Sequence, residues 1–396
     1  MKIMFVANRV PYPPYRGDKL KIWNLAKRLS KNHELHLYTI AQDQEELAYA
    51  EALKSVFSEV HIVFLPKWKS VIKTAFSVFG NVPFQVAYFQ SKAFLNLLKS
   101  ALEKHSFDAV HIQHIRMGWY FRDLPKHNVI LDLPDAFSLY WQRRKEQAKW
   151  PWSRLFASTE QKRLYNMERS FLKLFPLTLV CSNEDCAYLS GHAGANIRVL
   201  PNGVDTEVFH PRKEIKPEPF RLLFTGNMDY APNVDAVTYF CNEILPHIRQ
   251  KHPEVVFVIA GQRPVKKVLN LASASVIVTG FVKDIAEEYA KAAVVVAPLR
   301  FGAGTQNKVL EALAMGVPVV CTHVGFKGLG IESGEGAHMA VNTEDFILQV
   351  NRLLESEAHR ADLAGKGMEK IVSTFGWDAV AVRLIRYFES VKTQSQ

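Results

Sequence analysis

The stretch AAVVVAPLRFGAGTQNKVLEALAMGVPVVC, residues 292–321, decides how this chain folds. Val294, Val295 and Val296 with their flanking alanines form an uninterrupted apolar run, the pattern of a parallel strand buried on both faces. Gly302 and Gly304 lack a Cβ, so the backbone there can turn sharply and bring its N–H groups close to a ligand. Val309, Leu310, Leu313 and Ala314 then recur on one helical face, Gly316 and Pro318 end the segment, and a second apolar run follows. The pattern predicts strand, glycine turn, helix and strand, with the helix starting near Thr305. Its unpaired N–H groups and dipole form an anion site, Lys308 falls in its first turn, and Glu311 shares the same surface three residues on. A carboxylate there suits a ribose diol beside a bound phosphate. A plain structural turn explains the glycines equally well. Gly-Ala-Gly-Thr-Gln-Asn lacks the third glycine of the dinucleotide fingerprint and the Gly-Lys-Ser/Thr ending of a P-loop, so neither a dehydrogenase nor a P-loop NTPase is favoured.

Outward from this unit the same alternation runs through the chain. KIMFVAN, HELHLYTI, EVHIVFL, DAVHIQH, NVILDL and LTLVCS read as strands separated by helical stretches. DTEVFHPRKEIKPEPF mixes proline and charge without periodicity and reads as a linker. Alternation then restarts with RLLFTGN, EVVFVIAG, SVIVTGF, AAVVVAPL and VPVVCT. An α/β chain of two Rossmann-like parallel-sheet domains is predicted. Ligands bind such sheets beyond the carboxyl ends of the strands. That singles out Arg16-Gly17-Asp18, Pro134-Asp135, Gly226-Asn227, Gly261 and Gly302–Thr305.

Length and composition agree with this. A chain of 396 residues has room for two domains, and 48% hydrophobic with 22% charged residues is ordinary for a globular protein. Met1 runs directly into strand-like KIMFVANRV, and no apolar run reaches the ~18 residues a membrane span needs, so a cytoplasmic protein is expected. Cys181, Cys186, Cys241 and Cys321 form no CxxC pair and have no companion histidine at ligand spacing; they read as reduced and mostly buried. The net charge of +10 resides in the first half, where residues 1–200 hold 28 basic against 17 acidic side chains. No nucleic-acid motif accompanies that surplus. An anionic membrane suits it better, because PKWKSVIKTAFSVF places Trp68, Ile72, Ala75, Phe76 and Phe79 near one face with Lys67, Lys69 and Lys73 beside them. A core-packed helix with a solvated rim is the alternative.

Over nearly its whole length the chain resembles the family 4 glycosyltransferases of the GT-B fold. The resemblance is carried by VLPNGVDTEVFHP, FTGNMDYAPN, VIAGQRP, VTGFVKD, KVLEALAMGVPVV and the terminal STFGWDAVAVRLIRYFES, in that order. GNMDYAPNVDA and NRVPYPPYRGDKLK also look like a subgroup associated with bacterial exopolysaccharide assembly. The resemblance implies an acceptor domain at 1–204 with a returning C-terminal helix at 376–396, a linker at 205–219 and a donor domain at 220–375, facing across a cleft. It implies a UDP- or GDP-linked sugar donor, a glycan or lipid-linked acceptor, and transfer with retention. No metal and no other cofactor is implied, and no Asp-x-Asp triplet occurs.

Glu311 matches the second glutamate of the family's Glu-x7-Glu motif, implied to bind ribose, whereas the first would fall on Ala303. At Gly226-Asn227 the chain lacks the arginine and nearby lysine that many relatives use on the diphosphate. Lys308 with the helix start is the expected replacement, with Arg300, Arg263 and Arg16 in reserve. Where relatives place a histidine near the reacting sugar, this chain has Pro134 and Asp135. Asp135 is the candidate catalytic carboxylate, and a cap for the next helix is its alternative. His114 ends DAVHIQH and is read either as catalytic or as a packed histidine. Gly17 matches the loop near the donor phosphates, while Phe281 and Val282 match positions beside the base. Asn202 and Gly203 read as architectural. A nucleotide-sugar hydrolase or epimerase and a catalytically silent binding partner are the rivals.

Overall fold

A computed structural model describes residues 1–14, 17–125, 128–146, 148, 150–191, 196–302 and 305–393. The chain divides into two units, Met1–Asn202 with Val380–Gln396, and Gly203–Ala379. The first holds seven parallel strands: β1 (Lys2–Ala7), β2 (Glu34–Ala41), β3 (Glu59–Phe64), β4 (Ala109–Gln113), β5 (Val129–Leu133), β6 (Leu177–Val180) and β7 (Ile197–Val199). Their spatial order is β3-β2-β1-β4-β5-β6-β7. The second holds β8 (Arg221–Thr225), β9 (Val256–Ala260), β10 (Val276–Gly280), β11 (Val294–Ala297), β12 (Val319–Thr322) and β13 (Ala337–Ala340), ordered β10-β9-β8-β11-β12-β13. Strand order therefore reverses between β1 and β4 in one unit and between β8 and β11 in the other. Such switch points open a crevice at the carboxyl ends of the strands.

The quoted stretch is β11, the helix Asn307–Ala314 and β12, with Val295 paired to Val319 and Val296 to Val320. That helix starts two residues later than expected, with Gln306 as its cap residue. Val294 and Val296 pack with Phe224, Phe240 and Phe346 on one side of the sheet. Val295 packs with Leu223, Val309 and Leu313 on the other. This is why the run shows no alternation: both faces are covered, as in parallel sheets generally. Two strands escaped the sequence reading, β7 and β13, and both are short sheet edges carrying side chains that are not fully buried.

In the first unit every residue of β4 and β5 is buried, including His111 and Asp132. A buried carboxylate needs a partner. Lys21, from the helix Gly17–Leu29, donates to Asp132 Oδ1 at 2.8 Å and to the Leu200 carbonyl at 2.9 Å, while His111 Nε2 lies 3.1 Å from Asp132 Oδ2. Burial acts to raise the Asp132 pKa, but the Lys21 charge and these hydrogen bonds outweigh it and hold the carboxyl below its usual range. Asp132 is thus a structural anchor joining β4, β5 and the first helix.

Residues 205–219 form turns and irregular backbone. In the second unit a Cβ on Gly203 would meet the Trp377 ring at 2.5 Å, so glycine there is dictated by packing. All four cysteines are free; Cys181 and Cys321 are buried and the other two partly so.

Candidate functional site

In the second unit the switch point is lined by the ends of β8, β9 and β11. Beyond β8, Gly226 adopts φ +152° and donates to the Ala260 carbonyl at 3.1 Å. A Cβ on Gly261 would stand 1.8 Å from the Gly226 oxygen, so only glycine lets these two loops meet backbone to backbone. Asn227 is tied into the same corner: its Oδ1 accepts from Gln262 Nε2 at 2.9 Å and its carbonyl from Asn233 Nδ2 at 3.0 Å. It braces the loop with Oδ1 and its carbonyl.

Past β11, Gly302 is extended and Thr305 is buried, where its hydroxyl would contact any Cβ on Gly328. Ala303, Gly304 and Arg16, all expected near donor phosphates, lie outside the described residues. Gly17 opens its helix. Lys308 is buried, with Nζ 5.2 Å from the Phe224 ring centroid and 3.3 Å from Gln306 Oε1. Burial pushes its pKa down to about 8 against the opposing pull of Glu311. One turn on, Glu311 accepts a hydrogen bond from the Tyr289 hydroxyl at 2.7 Å. Burial raises the Glu311 carboxyl pKa, while Tyr289 and Lys308 oppose that rise. Lysine and glutamate thus stand side by side at a helix start, a pair suited to a phosphate and a diol.

Two of the three reserve cations, Arg300 and Arg263, lie among the described residues, and each has an acidic neighbour. Arg300 forks onto Asp235, with Nε 2.8 Å from Oδ2, and stacks 4.8 Å over the Tyr239 ring. Arg263, at φ +57°, sits exposed with Asp229 at 3.6 Å. Phe281 follows β10 with 69% of its surface exposed, as a residue able to stack on a base should be. Val282 packs against the core beside it.

In the first unit the switch point is closed by Asn8 after β1 and His114 after β4. His114 has φ +83°, an unusual conformation for a non-glycine residue and one that clusters at functional sites. Its Nδ1 accepts from the Arg116 N–H at 3.3 Å, and its ring lies 4.3 Å from that of Phe137. Burial first, then the charges of Arg116 and Arg9, drive its pKa well below the usual value. The ring is therefore neutral, and the occupied Nδ1 lone pair assigns the proton to Nε2, which becomes a donor. Asn8 is buried with neither amide atom hydrogen-bonded. Sequence reasoning missed it, although a polar residue closing an apolar strand was a readable signal. Asp135 lies partly buried in the turn after β5, near enough for its charge to act on the Cys181 thiol. Around it, Asp185 accepts from Ala136 N at 3.1 Å and Glu168 from Ser138 N at 3.1 Å.

Two parallel-sheet units of this topology define a GT-B fold. Residues 22–208 match the family described as Glycosyltransferase Family 4, and residues 219–356 match Glycosyl transferases group 1. The chain belongs to the family 4 glycosyltransferases. It is 21% identical over 347 residues to an "Uncharacterized 44.6 kDa protein in cps region" of Klebsiella pneumoniae, covering 84% of this chain and 86% of that one. Spore coat protein SA of Bacillus subtilis (strain 168) is 24% identical over 228 residues, covering 50% of this chain and 59% of that one. Among solved structures, sucrose-phosphate synthase from Thermosynechococcus elongatus matches with a TM-score of 0.70 at 15% identity over the whole of both chains. Anabaena HepE in complex with UDP-glucose matches with 0.67 at 14% identity, covering 98% of this chain and 100% of that one.

Proposed function

We propose that this glycosyltransferase takes a UDP- or GDP-linked sugar in its second unit and transfers the sugar, with retention, to a glycan or lipid-linked acceptor held by the first. The reading places it in exopolysaccharide or cell-surface glycan synthesis. The observation that carries it is the Tyr289-braced Glu311 one helical turn from buried Lys308, at a switch point whose glycines bring backbone amides forward. Glu311 would hold the ribose. Lys308 and the helix-start N–H groups would stabilise charge developing on the departing diphosphate, which itself takes the acceptor hydroxyl's proton as it leaves on the same face. The chemistry asks for no metal or further cofactor. On the acceptor side, His114 offers a neutral Nε2–H to a sugar oxygen and Asp135 a carboxylate. HepE, a neighbour in fold, is solved with UDP-glucose, which supports testing that donor first.

The test is thermal stability with UDP, GDP, ADP and their sugar conjugates, beside Glu311→Ala. A ligand bound only by the folded state stabilises it by about 2.7 kcal/mol at a hundredfold excess over Kd. A shift with one nucleotide, reduced in Glu311→Ala, is expected. Absence of any shift from a folded sample would favour a silent binding partner, and donor consumption without acceptor would favour a hydrolase.

Peripheral attachment to an anionic membrane belongs to the same proposal. The helix Lys67–Phe76 buries only Ser70, which favours a membrane-facing surface over a core-packed one. Trp68, Phe76 and Phe79 are 61%, 74% and 92% exposed, and exposed Lys67 and Lys69 flank Trp68. The surface continues onto a second helix, Pro151–Leu174, through the Phe84–Phe156 stack at 5.0 Å and exposed Trp150, Trp152 and Leu155. Arg163 ties the two together by donating to the carbonyls of Ser77 and Val78 at 3.1 and 2.9 Å. Among the described residues no helix is long and apolar enough to cross a membrane.

A further inference from the structure

At the opposite end of the first sheet, away from the carboxyl ends of its strands, His36, Glu59 and His105 converge. His36 and Glu59 are register partners at the starts of β2 and β3. His105 follows the helix Lys92–Lys104. One ligand atom from each lies within 4.8 Å of the other two. We propose that these three side chains form a site for a divalent metal of the zinc class, with water as the fourth ligand.

The argument starts from His36, which is fully buried. Its Nε2 is 2.7 Å from Glu34 Oε1, so the ring proton points to Glu34 and the lone pair is left on Nδ1. That Nδ1 is buried with no hydrogen-bond partner. It faces Glu59 Oε2 at 3.5 Å. Two electron-rich atoms face each other inside the protein, an arrangement that a cation between them would resolve. The spacing suits one: zinc bonds of about 2.1 Å at tetrahedral angles put neighbouring ligand atoms about 3.4 Å apart. His105 Nε2 stands 4.0 Å from the same Glu59 oxygen, so a modest turn of the half-exposed Glu59 and of His105 closes the set. The carboxylate of Glu34 behind His36 is the outer-shell partner that metal-bound histidines ordinarily have.

Two neighbours must adjust. Lys2 Nζ contacts His105 Nδ1 at 3.2 Å and Glu34 Oε1 at 3.2 Å, so it keeps the second contact when His105 Nδ1 carries the proton. His61 Nε2 shares Glu59 Oε2 at 3.1 Å and yields to the metal. The site would clamp β2, β3 and the segment leading into β4, and takes no part in sugar transfer.

Chelator-treated full-length chain is titrated with Zn2+ against a fluorescent competitor, and Co2+ absorption reports the geometry. Uptake of one equivalent, a rise in melting temperature and tetrahedral Co2+ bands are expected. Glu59→Gln and His105→Asn, both at solvent-accessible positions, should each weaken uptake by about tenfold or more, as should Glu34→Gln through His36. His61→Asn should leave affinity within about threefold of the parent, a change that reflects only local charge. No stoichiometric uptake, uptake that survives both ligand substitutions, or an equal loss in His61→Asn would each overturn the assignment. An imidazolium at His36, the alternative cation, gives no Co2+ bands.

Discussion

Tyr289, on the helix Ile285–Lys291, donates its hydroxyl proton to Glu311 Oε2 at 2.7 Å and receives the Thr225 hydroxyl at 2.5 Å. One buried chain of three side chains therefore runs from the end of β8 to the helix Asn307–Ala314. It orients Glu311, whose other oxygen takes no hydrogen bond from a described residue. Tyr289→Phe keeps the packing, removes the donor and leaves Thr225 unpaired. Losing a hydrogen bond to a charged group costs about 1.5–3 kcal/mol. Nucleotide affinity should fall about tenfold by calorimetry, with a lower melting temperature. Unchanged affinity would show that Glu311 is oriented by something else.

Lys308 titrates at about 8 because burial disfavours its charge. A diphosphate beside it restores the charged form, so binding near pH 8.5 should take up a proton. Calorimetry in two buffers of different ionisation enthalpy would measure that uptake, and Lys308→Met should abolish it. The stability sign follows from the lowered value: between about 8 and 10.5 the unfolded chain holds this proton and the folded chain does not. Stability from this group therefore rises with pH through that window, by up to on the order of 3 kcal/mol.

Glu168 works in the opposite sense. Burial raises its pKa to about 7, although the Ser138 hydroxyl and N–H donate to it. The folded state holds this proton more tightly than the unfolded state, so its contribution is complete below about 4.5 and is lost as pH rises through 7. Glu168→Gln should remove that component, worth on the order of 3 kcal/mol, and flatten the melting temperature across pH 5–7. An unaltered pH profile would contradict the assignment.

These pairs show where sequence reading stops. Lys308 and Glu311 were legible because a helix places positions three apart on one surface. Tyr289 was not, because it lies 22 residues from Glu311 and meets it only through the packing of two helices. The core strands announced themselves by continuous apolar runs. Edge strands β7 and β13 did not: IRV and AHMA are only three and four residues long, and each is interrupted by one polar side chain, Arg198 or His338. The role of Asp132 was not legible either, since nothing local reveals that Lys21, 111 residues away, pairs with it.

Asp132→Asn should therefore act on folding. It strands the Lys21 ammonium in a buried position, and breaking one side of a buried pair costs about 3–5 kcal/mol. Chemical denaturation should show that loss. Lys21→Met combined with Asp132→Asn should recover part of it in a double-mutant cycle. Additive losses would show that the pair is not coupled.

The membrane proposal predicts a surface effect without loss of fold. Phe76 and Phe79 are exposed and hold no core contact that a polar residue would break. Burying one such side chain is worth about 1.5–3 kcal/mol, so Phe76→Ser with Phe79→Ser should lower partitioning to phosphatidylglycerol vesicles by at least about tenfold. Melting temperature should hold, and UDP affinity measured without lipid should not change. Because exposed basic side chains of this surface, Lys69 among them, would attract anionic headgroups, the parent's binding should also weaken as salt rises. Vesicle binding that ignores both the serines and the salt would place the contact elsewhere on the chain.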